Sequence, residues 1–215
     1  MKTISVQQAV ELIPDGASLM IGGFMGVGSP ERVIDELVRQ GKRDLTVIGN
    51  DTARPGVGIG KLVTAGLLRK AIVSHIGLNP ETQQQMLAGK LEVELVPQGT
   101  LIERIRCAAF GLGAVLTPTG VGTVVEQGKH KLAVEGKDYL LETALRADFA
   151  LVQAMMADYL GNLSYALTAR NFNPVIAMAA GTVIVSANHI VPVGVISPDH
   201  VVTPGAVVDY LVTNT

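Results

Sequence analysis

The chain is built from short apolar runs that stop at glycine, each followed by a stretch in which apolar residues recur every three or four positions. The clearest run, Leu19 to Ile21, empties into four glycines within seven residues: Gly22, Gly23, Gly26 and Gly28. Ser29 then predicts a helix N-cap with Pro30 at the first helical position. Val33, Ile34, Leu37 and Val38 share one helical face, and Gly41 suits a left-handed cap. A complete β-turn-α unit is therefore written between Leu19 and Gly41. Ahead of it, Val6, Ala9, Val10 and Ile13 give Ser5 to Leu12 a helical spacing, which Pro14-Asp15-Gly16 ends.

The same rhythm recurs downstream. Leu45 to Ile48 predicts a buried strand ending in Gly49-Asn50-Asp51-Thr52, and Ala53 to Gly60, with three glycines and a proline, predicts a loop. Lys70 to His75 predicts another strand, and Asn79-Pro80-Glu81 caps a helix that runs to Gly89. Leu91 to Val96 is a further strand, and Thr100 is the expected cap of the helix carrying Ile102, Ile105 and Arg106. Phe110 to Gly128, with five glycines and Pro118, predicts a long loop. Lys129 to Val134 and Asp138 to Leu141 predict a hairpin around Glu135-Gly136-Lys137. Phe149 to Met155 is a buried strand and Gly161-Asn162 a turn. Asn171 to Pro174 opens a helix over Val175 to Ala180, ahead of the strand Val183 to Ser186. Repeated β-then-α units imply an α/β fold with an open, mainly parallel sheet flanked by helices. No linker divides residues 1–215, so one domain is expected.

Composition narrows the function. With 48% hydrophobic but only 4% aromatic residues, small aliphatic side chains must fill the core, leaving apolar surface for a partner subunit. A chain of 215 residues can bury about 70% of the surface its unfolded form exposes. The net charge is −2 with no basic block, which removes the electrostatic footprint of a nucleic-acid binder. No apolar stretch has the form of a signal peptide or membrane span, because Val175 to Ala187 is broken by Gly181, Thr182 and Ser186. One cysteine, Cys107, forbids an internal disulfide, and His75, His130, His189 and His200 lack metal-ligand spacing. A cytoplasmic, metal-free protein is the expectation.

Glycines at the mouth of a strand let a ligand reach main-chain N–H groups, and the following helix N-terminus favours an anion. Two nucleotide motifs fail on counting. A dinucleotide fingerprint from Gly26 needs glycine where Glu31 stands, and a P-loop read at Gly60-Lys61 meets Pro55 and Leu62. What fits is Asp15-Gly16, two residues, three apolar residues, Gly22-Gly23-Phe24, three residues, Gly28, one residue, Pro30, all seven fixed positions present. In this the chain resembles the α subunits of family I CoA-transferases, short-chain acetate type. The resemblance continues through Leu45 to Thr52, Val96 to Arg106, Leu116 to Thr123, Leu145 to Phe149 and Ser164 to Asn173.

The resemblance implies the family's NagB/RpiA-like fold and exchange of CoA between a thioester and a free carboxylate. The route is ping-pong through a glutamyl-CoA thioester, with the coenzyme as substrate and no tightly bound cofactor. In the family the nucleophilic glutamate lies in a Ser-Glu-Asn-Gly motif of the β subunit; none of the ten glutamates here precedes Asn-Gly. The chain is expected to complete a site whose nucleophile comes from a β subunit, in an α2β2 assembly. Asn50 and Gln98 match the family's active-site amides, and Gly22, Gly23, Phe24, Met25, Gly26, Val27 and Gly28 form the expected CoA-binding turn. Phe24, a lone large ring, is expected to close over the pantetheine arm or pack on the partner. Two rivals follow from the residues: a sugar-phosphate isomerase with Asp51 as base, and a CoA-binding regulatory subunit without chemistry. Glu103 and Arg106, three apart, are expected to pair on a helix surface. Cys107 is expected to be a small buried residue, and His75 a structural one.

Overall fold

In the computed structural model, which describes residues 1–213, the chain opens with strand β1 (Lys2–Ile4) and helix α1 (Val6–Glu11), whose Ser5 and Gln8 form a reciprocal capping box. Strand β2 (Ser18–Ile21) sends Leu19 and Ile21 into one apolar cluster and Met20 into another. A strand covered on both faces reads as a continuous apolar run for this reason. Helix α2 (Glu31–Gln40), strand β3 (Leu45–Ile48), helix α3 (Ile59–Thr64), strand β4 (Leu68–Val73), helix α4 (Pro80–Leu87), strand β5 (Glu92–Leu95) and helix α5 (Gln98–Ala109) continue the alternation. A small antiparallel sheet follows, with β6 (Ala114–Thr117) and β7 (Lys131–Val134) flanking β8 (Lys137–Thr143). The chain then returns through β9 (Ala147–Asp158), β10 (Leu163–Ser164), the short helix α6 (Asn173–Ile176), β11 (Ala180–Val191) and β12 (Tyr210–Val212). Asn214 and Thr215, included in the single-domain expectation, lie outside the described residues.

The main sheet has the order β1-β12-β11-β9-β2-β3-β4-β5 and is parallel throughout, except that β10 pairs antiparallel with β9. Helices α1, α2 and α3 cover one face through Val10, Val33, Leu37 and Leu62. Helices α5 and α6 cover the other through Leu101, Ile105 and Ile176. The chain moves outward from β2 in one direction and from β9 in the other, so the order reverses between these neighbours. At such a switch point the connections diverge and leave a crevice beyond the strand ends.

Several expected boundaries shift. Ser29 is not the cap of α2; Pro30 is, without a side-chain bond, because Ser29 Oγ sits against Gly23 instead. Thr100 lies inside α5, since the Leu101 N–H bonds Pro97 O at 2.9 Å and starts the helix earlier; its buried Oγ1 has no hydrogen-bond partner among the described residues. The expected loop at 53–60 ends in helix α3, and the expected long loop holds β6, which pairs with β8. Strands β9 and β11 each run to 12 residues, well past their apolar runs, because their far ends pair with one another. The hairpin turn at Glu135-Gly136 has φ of 50° and 77°, the left-handed pair that two-residue turns require.

An acid-sensitive tie joins β2 to β9. The Ser18 backbone N–H and hydroxyl donate to Asp148 Oδ2 at 2.8 and 2.7 Å, and these bonds hold its carboxyl below the ordinary 3.8. A carboxyl lowered in the folded state stabilises above its unfolded pKa, and that contribution fades as pH falls through the folded value. The melting temperature of Asp148→Asn is expected to vary less than the parent's between about pH 4 and pH 2. Superimposable acid limbs would show that Asp148 does not set this dependence.

Candidate functional site

Because β2, β3, β4 and β5 are parallel, the segments after them emerge at one edge of the sheet. There Phe24 and Val27 exchange backbone hydrogen bonds at 3.0 and 2.9 Å, closing a two-residue turn with Met25 at φ 50° and Gly26 at φ 90°. The Gly22 N–H bonds Leu151 O, the Gly23 N–H bonds Asn171 Oδ1, and the Met25 N–H bonds Asp51 Oδ2. Among the described residues only the Gly26 and Gly28 amides of the turn are left without a hydrogen bond. The open cradle of amides expected from the sequence is thus reduced to two. At the start of α2, the Glu31 carboxylate accepts from the Gly58 N–H at 2.9 Å and pairs with Lys61 at 2.6 Å. Burial lowers the Lys61 pKa, but its bonds to Asp35 and Glu31 outweigh that and raise it above the ordinary lysine value.

The glycines are needed by the protein itself. A Cβ on Gly22 would fall 1.9 Å from Asn173 Oδ1, one on Gly23 2.2 Å from Ser29 Oγ, and one on Gly26 2.3 Å from a Val57 methyl. Asn171 and Asn173 hold the turn from 144 to 148 residues away in the chain. Asn171 accepts from the Gly23 N–H and donates to Val27 O, while Asn173 donates to Gly28 O at 2.9 Å and accepts from the Gln153 N–H at 3.0 Å. In the sequence both asparagines enter as the opening of a helix and through the resemblance, not as partners of the turn. Their signal is the alternation Asn-Phe-Asn just ahead of Pro174, which leaves both amides beside one loop with Phe172 buried between them.

Beside the turn, the two expected amides meet. Gln98 Nε2 donates to Asn50 Oδ1 at 2.5 Å, and Asn50 Nδ2 donates to Asp51 Oδ2 at 2.6 Å. Asn50 follows β3, while Gln98 opens α5 after β5, so the parallel register brings together residues 48 apart. Asn50 is fully buried, whereas Gln98 is exposed at the rim. A carboxamide nitrogen carries two hydrogens, so each amide keeps one N–H beyond these bonds. Phe24 and Val27 stand at the same rim, 41% and 50% exposed.

On the turn's other flank a cavity of about 560 Å³ opens over the switch point, lined by Gly28, Glu31, Arg32, Gln153, Ser186 and Asn188. The turn therefore separates two spaces, the amide cluster beyond β3 to β5 and the crevice between β2 and β9. His75 pairs its backbone with Asp51, and its Nδ1 lies 3.4 Å from Ser74 Oγ. Glu103 and Arg106 form the expected ion pair at 3.1 Å, and Cys107 is buried. Asp51 is buried and accepts three hydrogen bonds, so it does not stand free at the turn as the base of an isomerase. Among the described residues no helix is long and apolar enough to cross a membrane.

The chain belongs to the coenzyme A transferase family. The family profile, described as Coenzyme A transferase, matches residues 3–214. The chain is 54% identical over 213 residues, 99% of its length and 97% of the relative's, to the acetate CoA-transferase subunit alpha of Escherichia coli (strain K12). It is 46% identical over 211 residues, 98% and 97% of the two lengths, to the acetoacetyl-CoA:acetate/butyrate CoA transferase alpha subunit of Clostridium acetobutylicum. Among solved structures it superimposes on an acyl-CoA transferase from E. coli O157:H7, in a thioester complex with CoA, with a TM-score of 0.87 and 26% identity. That match covers 99% of this chain and 47% of the other, so the chain spans about half of that polypeptide. A cysteine-to-serine variant of the decarboxylase AibA/AibB also superimposes, with a TM-score of 0.82, 29% identity and coverage of 98% and 82%. One fold thus carries two reactions, and the assignment to this chain has to rest on its own residues.

Proposed function

We propose that this chain is the α subunit of a short-chain acyl-CoA:carboxylate CoA-transferase of the acetate/acetoacetate type. In this reading it acts in the cytoplasm as one domain, binds CoA as substrate along Gly22 to Gly28 with no tightly bound cofactor, and completes a site with a β subunit in an α2β2 assembly. The observation that carries it is the Asn50–Gln98 pair: two neutral amides bonded to each other, with an N–H of Gln98 free at an exposed rim.

Attack on a thioester places negative charge on the carbonyl oxygen, and a fixed donor aimed at that oxygen lowers the barrier. Gln98 is the residue that reaches the rim, with Asn50 behind it holding its orientation. A neutral amide stabilises the oxyanion without trapping the carboxylate that must leave. No glutamate of this chain lies in a Glu-Asn-Gly sequence, so the nucleophile is assigned to the partner. The exposed side chains at the turn, Phe24 and Val27, suit contact with CoA or with that subunit.

The purified chain alone is expected to show no CoA transfer from acetoacetyl-CoA to acetate. Adding a β chain that carries Ser-Glu-Asn-Gly should restore it. Turnover by the lone chain at the rate of the reconstituted complex would overturn the division of labour. CoA binding by the complex with no turnover would favour a regulatory subunit.

A further inference from the structure

We propose that Asp51 is the positioning residue of this site, a buried acceptor that fixes which way the Asn50 and Gln98 amides face and holds the glycine turn against them. The inference rests on the reading of Gln98 as the oxyanion donor and extends it to a residue so far considered only as a base. The Asp51 carboxylate is 5% exposed and accepts three hydrogen bonds, two from its own stretch and one from the glycine turn: Asn50 Nδ2 at 2.6 Å, the Ala53 N–H at 2.6 Å and the Met25 N–H at 3.0 Å. Met25 and Ala53 are two of the five described non-glycine residues with positive φ, at 50° and 52°. Such backbone is held only where its surroundings over-determine it, and here both amides end on one carboxylate.

The polarity of the chain of bonds follows from the chemistry of its first member. A carboxylate accepts and has no hydrogen to offer a neighbouring donor, so Asn50 must turn its NH2 toward Asp51 and its oxygen toward Gln98. Gln98 must then turn its own NH2 toward Asn50, which leaves the second hydrogen of that NH2 for the rim. An amide is nearly symmetric in shape, and without such an anchor either end of Gln98 can face Asn50. A Gln98 that alternates between its two ends would offer the rim no fixed donor. Asp51 removes that alternative through two hydrogen bonds without touching the substrate, and through Met25 it keeps the turn in register with the amides.

The test is a double-mutant cycle in the reconstituted complex, with kcat and the KM for acyl-CoA measured for the parent, Asp51→Ser, Gln98→Ala and the double variant. A serine hydroxyl keeps an acceptor for the Ala53 turn but is too short to hold Asn50. Asp51→Ser is expected to lower kcat about tenfold with KM within about twofold, and to cost under about threefold once Gln98 is alanine. Equal losses in both backgrounds would make Asp51 a structural residue and overturn the relay alone. Silence of Gln98→Ala would overturn the donor reading and the relay with it. Should Asp51→Ser fail to assemble, an atomic-resolution structure of the parent complex decides: Asn50 Nδ2 on Asp51 and Oδ1 on Gln98 is expected, and the reverse orientation overturns the proposal.

Discussion

Gln98→Ala is expected to lower the kcat of the assembled enzyme about a hundredfold, with the complex intact and the KM for acyl-CoA changed little. Removing one fixed oxyanion donor typically costs about 10²–10³ in rate, because the donor acts on charge that exists only in the transition state. The structure adds a reason for the loss to fall on kcat. Gln98 is exposed at the first position of α5, and only its amide end reaches inward to the buried Asn50, so its removal opens no core cavity. Asn50 loses one partner, the donor to its Oδ1, and keeps Asp51. Steady-state kinetics of the variant complex read the effect directly. A kcat within about twofold of the parent would remove Gln98 from the reacting atoms.

Gly22→Ala is expected to lower the melting temperature of the complex by about 6–12 °C, equivalent to about 3 kcal/mol in a chain of this size. The added Cβ would sit 1.9 Å from Asn173 Oδ1 and 2.4 Å from its Cγ, and Asn173 is fully buried. Moving that side chain breaks its bonds to the Gly28 and Ala169 carbonyls and to the Gln153 N–H. Overpacking costs about 1–3 kcal/mol, and each buried polar group left unpaired a further 1–3 kcal/mol. The turn should loosen with it, so activity should fall as well. Gly16→Ala in the same signature is the control: a Cβ there meets nothing within 4 Å, and only its φ of 80° resists the change. A shift for Gly22→Ala no larger than for Gly16→Ala would show that Asn173 does not demand the glycine.

Most of the main sheet was legible because its strands are covered on both faces and so appear as unbroken apolar runs, as at Leu45 to Ile48. Elements whose order comes from a partner were not. Strand β12 is three residues long, and β1 pairs with it from the far end of the chain. Helix α3 was hidden by the glycines preceding it; Gly60 lies inside it, where a Cβ would be 2.0 Å from Arg54 O. At the site, Asn50 and Gln98 could be picked out as amides after strands, but which was buried and which exposed could not.

The sequence by itself determined the α/β class, the glycine turn after the first long apolar run, the two amides and the lack of a Glu-Asn-Gly nucleophile. Local periodicity, turn chemistry and residue identity are properties of contiguous stretches, and they survive without a fold. The tertiary structure alone decided that Asn171 and Asn173 pin the turn, that most of its amides are already bonded, and that Asp51 orients Asn50 and through it Gln98. Those are pairings between distant segments, and hydrogen-bond direction depends on which donor faces which acceptor once the parallel strands have brought their ends to one edge.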